Sequence, residues 1–413
     1  MKHTLRYILF ILFTVSHFTL AAQQQTDTLS IKKYSREMIL NMSEEDLMDL
    51  SLENLMWLVK KLKVSSIEEL YKIILNPVIE TASKKEEQTF NSPLSVTVIS
   101  QDELANSGVL NIPEALRLVP GMIIREKTNG NYDVHIRGND NVPPGKYLFD
   151  SENTITLVMI DGRPVYNNFQ GGIFWESLPI GIHDIEKIEV VIGPSSALYG
   201  PNAVSGVINI ITKNPSQYKT TVSANVQYGN FGTKTANAAV NLGKYKHLSA
   251  RISTNYQHRD RFQDEYLFFE DYKYHPSDSL ENLIQYSDRR YPDTELALNT
   301  FGVNTYINGD FGKEIQFDLS AGTQQSKIQT IYLDLNNISL STRESNTNYV
   351  DFRAKVKNLR TQISYDHGTQ DNATGFYGYK FDVSNFNSKL EYDIKGEHLT
   401  ISPGISFSKS IFD

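Results

Sequence analysis

From Lys219 onward the chain repeats one two-residue beat, and this constrains its fold more than any other feature. Val222, Ala224, Val226 and Tyr228 alternate with Ser223, Asn225 and Gln227; Leu248, Ala250 and Ile252 alternate with Ser249, Arg251 and Ser253. Ile315, Phe317, Leu319 and Ala321 likewise oppose Gln316, Asp318 and Ser320. Side chains two apart share one face of a strand, so each segment has an apolar and a polar face. Further segments near 297–307, 348–357, 359–366, 381–393 and 398–408, with the return strand of a first hairpin that turns at Gly229–Thr233, bring the expected count to nine. A soluble sandwich has the same alternation. The connections discriminate: short turns at Gly243–His247, Asn308–Lys313, Asn358 and Lys395–Glu397 alternate with long polar stretches at 259–296, 326–347 and 367–380. Short on one side and long on the other is the rule for outer-membrane barrels, and a sandwich does not require it.

Composition narrows the class. The net charge is −8 and the pI near 5.7, so no basic stripe exists for a nucleic-acid partner. Cysteine is absent, which excludes disulfides, thiolate metal sites and a lipid-anchored N-terminal cysteine. Tyr (23) and Phe (20) far outnumber Trp (2), as aromatic girdles of a membrane barrel allow. Mean hydropathy is −0.37, against a helical membrane protein. Lys2 and Arg6 precede an apolar run from Tyr7 to Leu20, followed by Ala21-Ala22. Residues 1–22 read as an export signal peptide. The run of about 14 residues is short of the roughly 20 that a membrane anchor needs.

The other informative stretch is residues 185–213, IEKIEVVIGPSSALYGPNAVSGVINIITK. An alternating strand (Ile185, Ile188, Val190, Ile192) meets Gly193-Pro194, and a second strand from Val204 to Ile211 is approached through Gly206. Three glycines in such a β-turn-β unit serve close backbone approach, not catalysis. Together with IRG at 136–138 and VMIDGRPVY at 158–166, this stretch resembles the plug domain of TonB-dependent outer-membrane receptors. The motifs stand in that family's order and spacing over residues 92–214. The fold class implied is an α+β plug domain followed by antiparallel membrane β-barrel strands, about nine strands of a larger barrel. A plug of about 125 residues has a radius of gyration near 14 Å, and plugged barrels have about 22 strands. The expectation is therefore that these 413 residues are the front portion of a longer receptor.

The resemblance implies roles. Arg137 would pair with barrel-wall carboxylates to seat the plug. Its family partner before Gly193-Pro194 is usually a second arginine, replaced here by Ile192. Two loops, 139–156 and 163–179, would face outward and touch a captured ligand through Asp140, Tyr147, Tyr166, Asn167, Asn168 and Phe169. Asp140, Asp150 and Glu152 could also hold calcium, though without loop spacing for it. The expected function is active uptake of a large, scarce nutrient. An iron–siderophore complex is the first expectation, with cobalamin or haem open. The other class is a surface binding protein without transport, an adhesin or a phage and bacteriocin receptor. Partners would be a TonB-type inner-membrane energy-coupling protein, the metal-chelate or other nutrient ligand, and outer-membrane lipid. No cofactor or enzyme activity is expected: Gly193-Pro194-Ser195-Ser196-Ala197 lacks the last glycine of a nucleophile elbow, Gly145-Lys146 is wrongly spaced for a phosphate loop, and the nine histidines show no zinc spacing.

Between signal and plug, Leu47, Leu50, Leu55, Leu58 and Leu62 predict one helix over 43–62, capped by Ser43 with Asp46 three residues on. A second helix is expected over Ser66–Leu75, stopped by Asn76-Pro77. Residues 23–76 then form a periplasmic helical spacer, with a signalling module as the other reading. Residues 77–91 hold Val78, Ile79, Glu80, Thr81, Ala82 and Ser83, an accessible extended stretch that could add as a strand to a partner's sheet edge. By its place ahead of the plug it resembles the family's coupling segment; a plain linker is the other reading. Within the plug (92–214), helices are expected from Asp102 and from Pro113, the second stopped by Pro120-Gly121. Residues 215–413 complete the chain as barrel strands.

Overall fold

The computed structural model describes residues 39, 47–74, 78–82, 87–89, 92–138, 153–165, 172–200, 202–268, 273–276, 295–312, 314–331, 340–373, 379–396 and 400–413. They divide into two compact units, Met1–Pro93 and Leu94–Asp413.

In the first unit the expected single helix is broken. Residues 47–48 are helical, the chain then turns, and α1 (Leu52–Leu62) starts afresh. The cause is Ser51, held extended at φ −62° and ψ 152°, whose hydroxyl accepts the Asn54 amide and so caps a new helix. Lys63 at φ 59° ends it. Ser43 and Asp46 lie outside the described residues. The second helix, α2 (Ile67–Ile74), falls where expected. Ile39, Leu47, Leu55, Leu58 and Leu70 make a small buried core, and the Tyr71 hydroxyl donates to the Leu47 carbonyl at 3.3 Å. The stretch expected to be extended and accessible is a short hairpin instead. β1 (Val78–Ile79) pairs antiparallel with β2 (Glu87–Gln88), and Ile79, Thr81 and Ala82 are buried. Pairing satisfies backbone groups that an open strand would leave bare. Ser83 lies outside the described residues.

The second unit begins with a five-stranded sheet in the order β3 (Ser95–Ser100), β8 (Ile185–Ile192), β9 (Gly206–Thr212), β6 (Thr156–Ile160) and β7 (Arg163–Pro164). All neighbours are antiparallel except β6 and β9, which run parallel from Thr156↔Gly206 to Ile160↔Ile210. A separate hairpin joins β4 (Met122–Thr128) to β5 (Asn131–Ile136). Helices α3 (Gln101–Asn106) and α4 (Ile112–Ala115) cover one side. The first starts at Gln101, one residue before Asp102, because Ser100 and Glu103 close a capping box. Asn111 caps the second ahead of Pro113. Ile99, Leu116, Val134, Ile136, Ile185, Ile188, Ile208 and their neighbours form one core. Gly206 shows why glycine is needed: a Cβ there would lie 2.2 Å from the Val191 carbonyl oxygen. In the IDGRP turn, Asp161 (φ 51°) and Gly162 (φ 78°) both take the left-handed backbone of a two-residue hairpin.

α5 (Ser196–Tyr199) links β8 and β9, and the wall follows. Its strands are β10 (Thr221–Tyr228), β11 (Lys234–Tyr245) and β12 (Leu248–Asp260). The small hairpin β13 (Glu265–Phe268) and β14 (Lys273–Pro276) stands apart, inside a stretch read as loop. Then come β15 (Leu296–Asp310), β16 (Ile315–Ile331), β17 (Leu340–Val356), β18 (Leu359–Ala373) and β19 (Tyr379–Tyr392). A second small hairpin, β20 (Ile394–Lys395) with β21 (Thr400–Ile401), precedes β22 (Gly404–Phe412). Nine strands make one antiparallel meander among the described residues, unclosed, with β10 and β22 at its edges. Several run longer than read from sequence, β16 and β17 to 17 residues, so the long connections shrink. Strand pairing tolerates the polar residues that end the apolar beat.

The faces are inverted relative to a soluble protein. Along one row Ile252, Val350, Tyr365 and Phe386 point outward and are 52%, 48%, 47% and 38% exposed. The adjacent row of Asn241, Arg251, Tyr306, Ser320, Asp351 and Ser364 points inward and is buried. Apolar outside and polar inside is what a lipid-facing wall requires. No described helix is long and apolar enough to cross a membrane.

Candidate functional site: where the first sheet meets the wall

The inward rows of the wall carry charges, and the domain inside them supplies the counter-charges. Arg251 on β12 reaches Asp184, just ahead of β8, at 2.8 Å. Ser253 donates to the other oxygen of the same carboxylate. Arg343 on β17 lies 2.6 Å from Glu176 and stacks 3.7 Å over the Phe174 ring. Arg259, near the end of β12, donates to Glu126 and lies 3.5 Å from the Tyr132 hydroxyl. Arg353 stands 3.6 Å from Asp161. One contact has the opposite sense: Arg163 of β7, 1% exposed, donates to wall residue Asp366 and stacks 4.3 Å over Tyr349. Buried pairs of this kind hold position strongly, because removing either partner strands a charge.

Two of the plug carboxylates are themselves fixed from within the plug. Asp161 accepts the Thr212 amide at 3.0 Å and its hydroxyl at 2.7 Å, while the Asp161 carbonyl accepts from Gln362 of the wall. Glu114 accepts the Tyr132 hydroxyl at 2.7 Å and the Leu110 amide at 3.0 Å. Burial, then the charge of Glu114, push the Tyr132 phenol up to about 12. On the other side of β5, burial alone would raise Asp133. Hydrogen bonding from His135 and the charge of Lys127 outweigh it and hold the carboxyl below its ordinary value.

Between the two surfaces lies a cavity of about 70 Å³, lined on one side by Tyr132, Trp175 and Gly181 and on the other by Asn255, Gln257 and Gln324. The wall amides Asn255, Gln257 and Gln324 each keep one polar atom without a protein partner here. The space is formed jointly by both surfaces, with polar wall amides facing a largely apolar plug lining.

Arg137 takes no part in these contacts. Its backbone turns left-handed at φ 55°, its amide donates to the Gly121 carbonyl at 2.7 Å, and its side chain is exposed. Plug–wall ion pairs are made by Arg163 in one direction and by the wall arginines in the other. Their sequence signal was an inward arginine set between serines, Ser249-Ala-Arg251-Ile-Ser253, on a strand facing lipid. Asp140, Tyr147, Tyr166, Asn167, Asn168 and Phe169 lie outside the described residues, as do Asp150 and Glu152.

The family model described as the TonB-dependent receptor plug domain matches residues 88–207. The chain carries a TonB-dependent receptor plug domain. The vitamin B12 transporter BtuB of Vibrio vulnificus is 35% identical over 137 residues, 33% of this chain and 20% of that protein. The iron-regulated outer membrane virulence protein of Vibrio cholerae is 34% identical over 148 residues, 34% of this chain and 20% of that protein. The chain thus matches about a fifth of the length of these curated relatives. Among solved structures, FpvA of Pseudomonas aeruginosa, bound to heterologous pyoverdines, superposes with a TM-score of 0.54 at 13% identity. It covers 81% of this chain and 44% of FpvA. The Pseudomonas aeruginosa ferric enterobactin receptor PfeA gives 0.51 at 14%, covering 78% and 50%. These likenesses show the fold: a plug followed by the antiparallel strands of a receptor barrel. The two curated relatives are named as a transporter and an outer membrane virulence protein, and PfeA as a receptor.

Proposed function

We propose that the chain supplies the plug and the leading wall strands of an outer-membrane uptake receptor, exported by residues 1–22. In this reading it captures a large, scarce nutrient and passes it to the periplasm, drawing work from a TonB-type inner-membrane protein. The carrying observation is the inverted wall, apolar outward, packed on a plug that buried ion pairs join to wall arginines. A pore filled and pinned in this way needs an external source of work to open. An iron–siderophore complex is the leading cargo and cobalamin the second, in keeping with the names of the relatives. Asp140, Tyr147 and the Tyr166–Phe169 stretch are the proposed cargo contacts, and Val78–Ser83 the coupling segment. The paired state of Val78 and Ile79 makes that segment a hairpin that opens before a partner strand adds. Deleting Val78–Ser83 from the full-length receptor should abolish uptake of radiolabelled ferric siderophores and cobalamin while surface binding persists. Undiminished uptake of every cargo tested would sink the transport reading and leave a surface receptor.

A further inference from the structure

The tip of the β4–β5 hairpin sits between the two feet of one long wall connection. Strand β12 ends at Asp260 and β15 begins at Leu296, and the Arg261 amide donates to the Glu295 carbonyl at 2.6 Å, tying the feet together. Asn129, 3% exposed, is the first tip residue. Its side-chain oxygen accepts two consecutive backbone amides from the first foot, Phe262 at 3.0 Å and Gln263 at 3.3 Å.

Gly130 is the second tip residue, at φ 86°. It is wedged against the other foot so closely that a Cβ would lie 3.0 Å from the Ala297 carbonyl oxygen and 3.1 Å from the Leu298 Cβ. The hairpin is braced from below as well. Glu126 accepts the Gly130 amide at 2.6 Å and also the Arg259 guanidinium. Tyr132 continues from Arg259 to Glu114, whose backbone amide donates to the Asn111 cap of α4. A displacement of either foot therefore acts directly on the hairpin, and through Glu126 and Tyr132 on the plug's helix.

We propose that Asn129 is a positioning residue that couples the connection between β12 and β15 to the seating of the plug. Two backbone amides share one side-chain oxygen, so a shift of the foot weakens both bonds together. The use made of this coupling rests on the receptor reading above; the coupling itself is testable without cargo.

These 413 residues hold no cysteine, so a reporter placed among them is read against the labelling of the receptor without it. Thr300 on β15 is 7% exposed and lines the plug–wall cavity below the tip. In the full-length receptor in outer-membrane vesicles, Thr300→Cys is labelled with a small water-soluble maleimide. Asn129→Ala should raise the labelling rate about tenfold, the loss of two hydrogen bonds partly regained from water. Asn129→Asp, which still accepts both amides, should label like the parent. Gln263→Pro removes one donor; it should raise labelling alone and add nothing on top of Asn129→Ala. Equal labelling of parent and Asn129→Ala overturns the proposal, and so does full additivity of the two changes. Should Asn129→Ala fail to insert, Asn129→Ser carries the same expectations at smaller amplitude. Since no cargo enters the assay, its failure counts against the coupling alone.

Discussion

Plug and wall are written in the same alternating code but resolve it oppositely. In the plug, Ile185, Ile188 and Val190 bury their side chains fully. In the wall, Val222, Val226 and Tyr228 are 78%, 79% and 80% exposed, while Asn241, Arg251 and Asn304 are buried. Alternation fixes only that a strand has two faces; the solvent on each side decides which face is inner. The difference also explains the buried charges. A wall whose inner face must be polar needs either water or a polar filler, and here the plug's outer surface is that filler.

The comparison breaks most sharply if an ion pair between the two regions is halved. Asp184→Ala leaves Arg251 buried without its carboxylate and should destabilise the seated plug by roughly 3–5 kcal/mol. Denaturant titration of the receptor in lipid would measure it, and a loss under 1 kcal/mol would show the pair to be ornamental. Replacing Asp184 and Arg251 together should recover much of that loss.

A smaller effect tests the wall alone. Val350 is outward on β17, and Val350→Arg should lower stability in bilayers by roughly 2–4 kcal/mol. Were this a soluble sandwich, the same change at a 48% exposed site would be nearly neutral.

The smallest effect belongs to the plug and depends on pH. Tyr132 has its pKa raised from 10.0 to about 12, so its neutral form stabilises the plug at every pH below 10. That contribution is lost as pH rises from 10 through about 12, roughly 2–3 kcal/mol in all. Fluorescence of Trp175, taken as the difference from a Trp175→Phe receptor, would follow plug unfolding across this range. Tyr132→Phe should flatten the curve there; an unchanged slope would assign the loss to other groups.

Much of this architecture was legible in the chain. The nine wall strands follow from a period that persists over many segments, and their membrane character from unequal connections. The plug's glycines marked real constraints, Gly206 above all. The broken helix at Asp49–Ser51 was not legible, because Leu47, Leu50 and Leu55 keep helical spacing across the break while one serine hydroxyl decides the cap. Nor was the seating network. Asp184 and Arg251 are 67 residues apart, Glu176 and Arg343 are 167 apart, and no local pattern pairs them. Resemblance pointed to Arg137, which is exposed at its left-handed turn, while the plug–wall ion pairs seen here use arginines that sit mostly on the wall.

The order of strands in the plug sheet has a mechanical meaning. β3 is an edge strand, and its six pairs to β8 run from Ser95↔Ile192 to Ser100↔Lys187. A load entering from upstream of Leu94 reaches Ser95 first, and drawn away from the sheet it strips that strand one pair at a time, like a zip. The central trio of β8, β9 and β6 lies outside this load path, locked by a parallel pairing that brings Thr156 to Gly206 across the chain. Tension thus peels the plug from one margin while its middle stays folded.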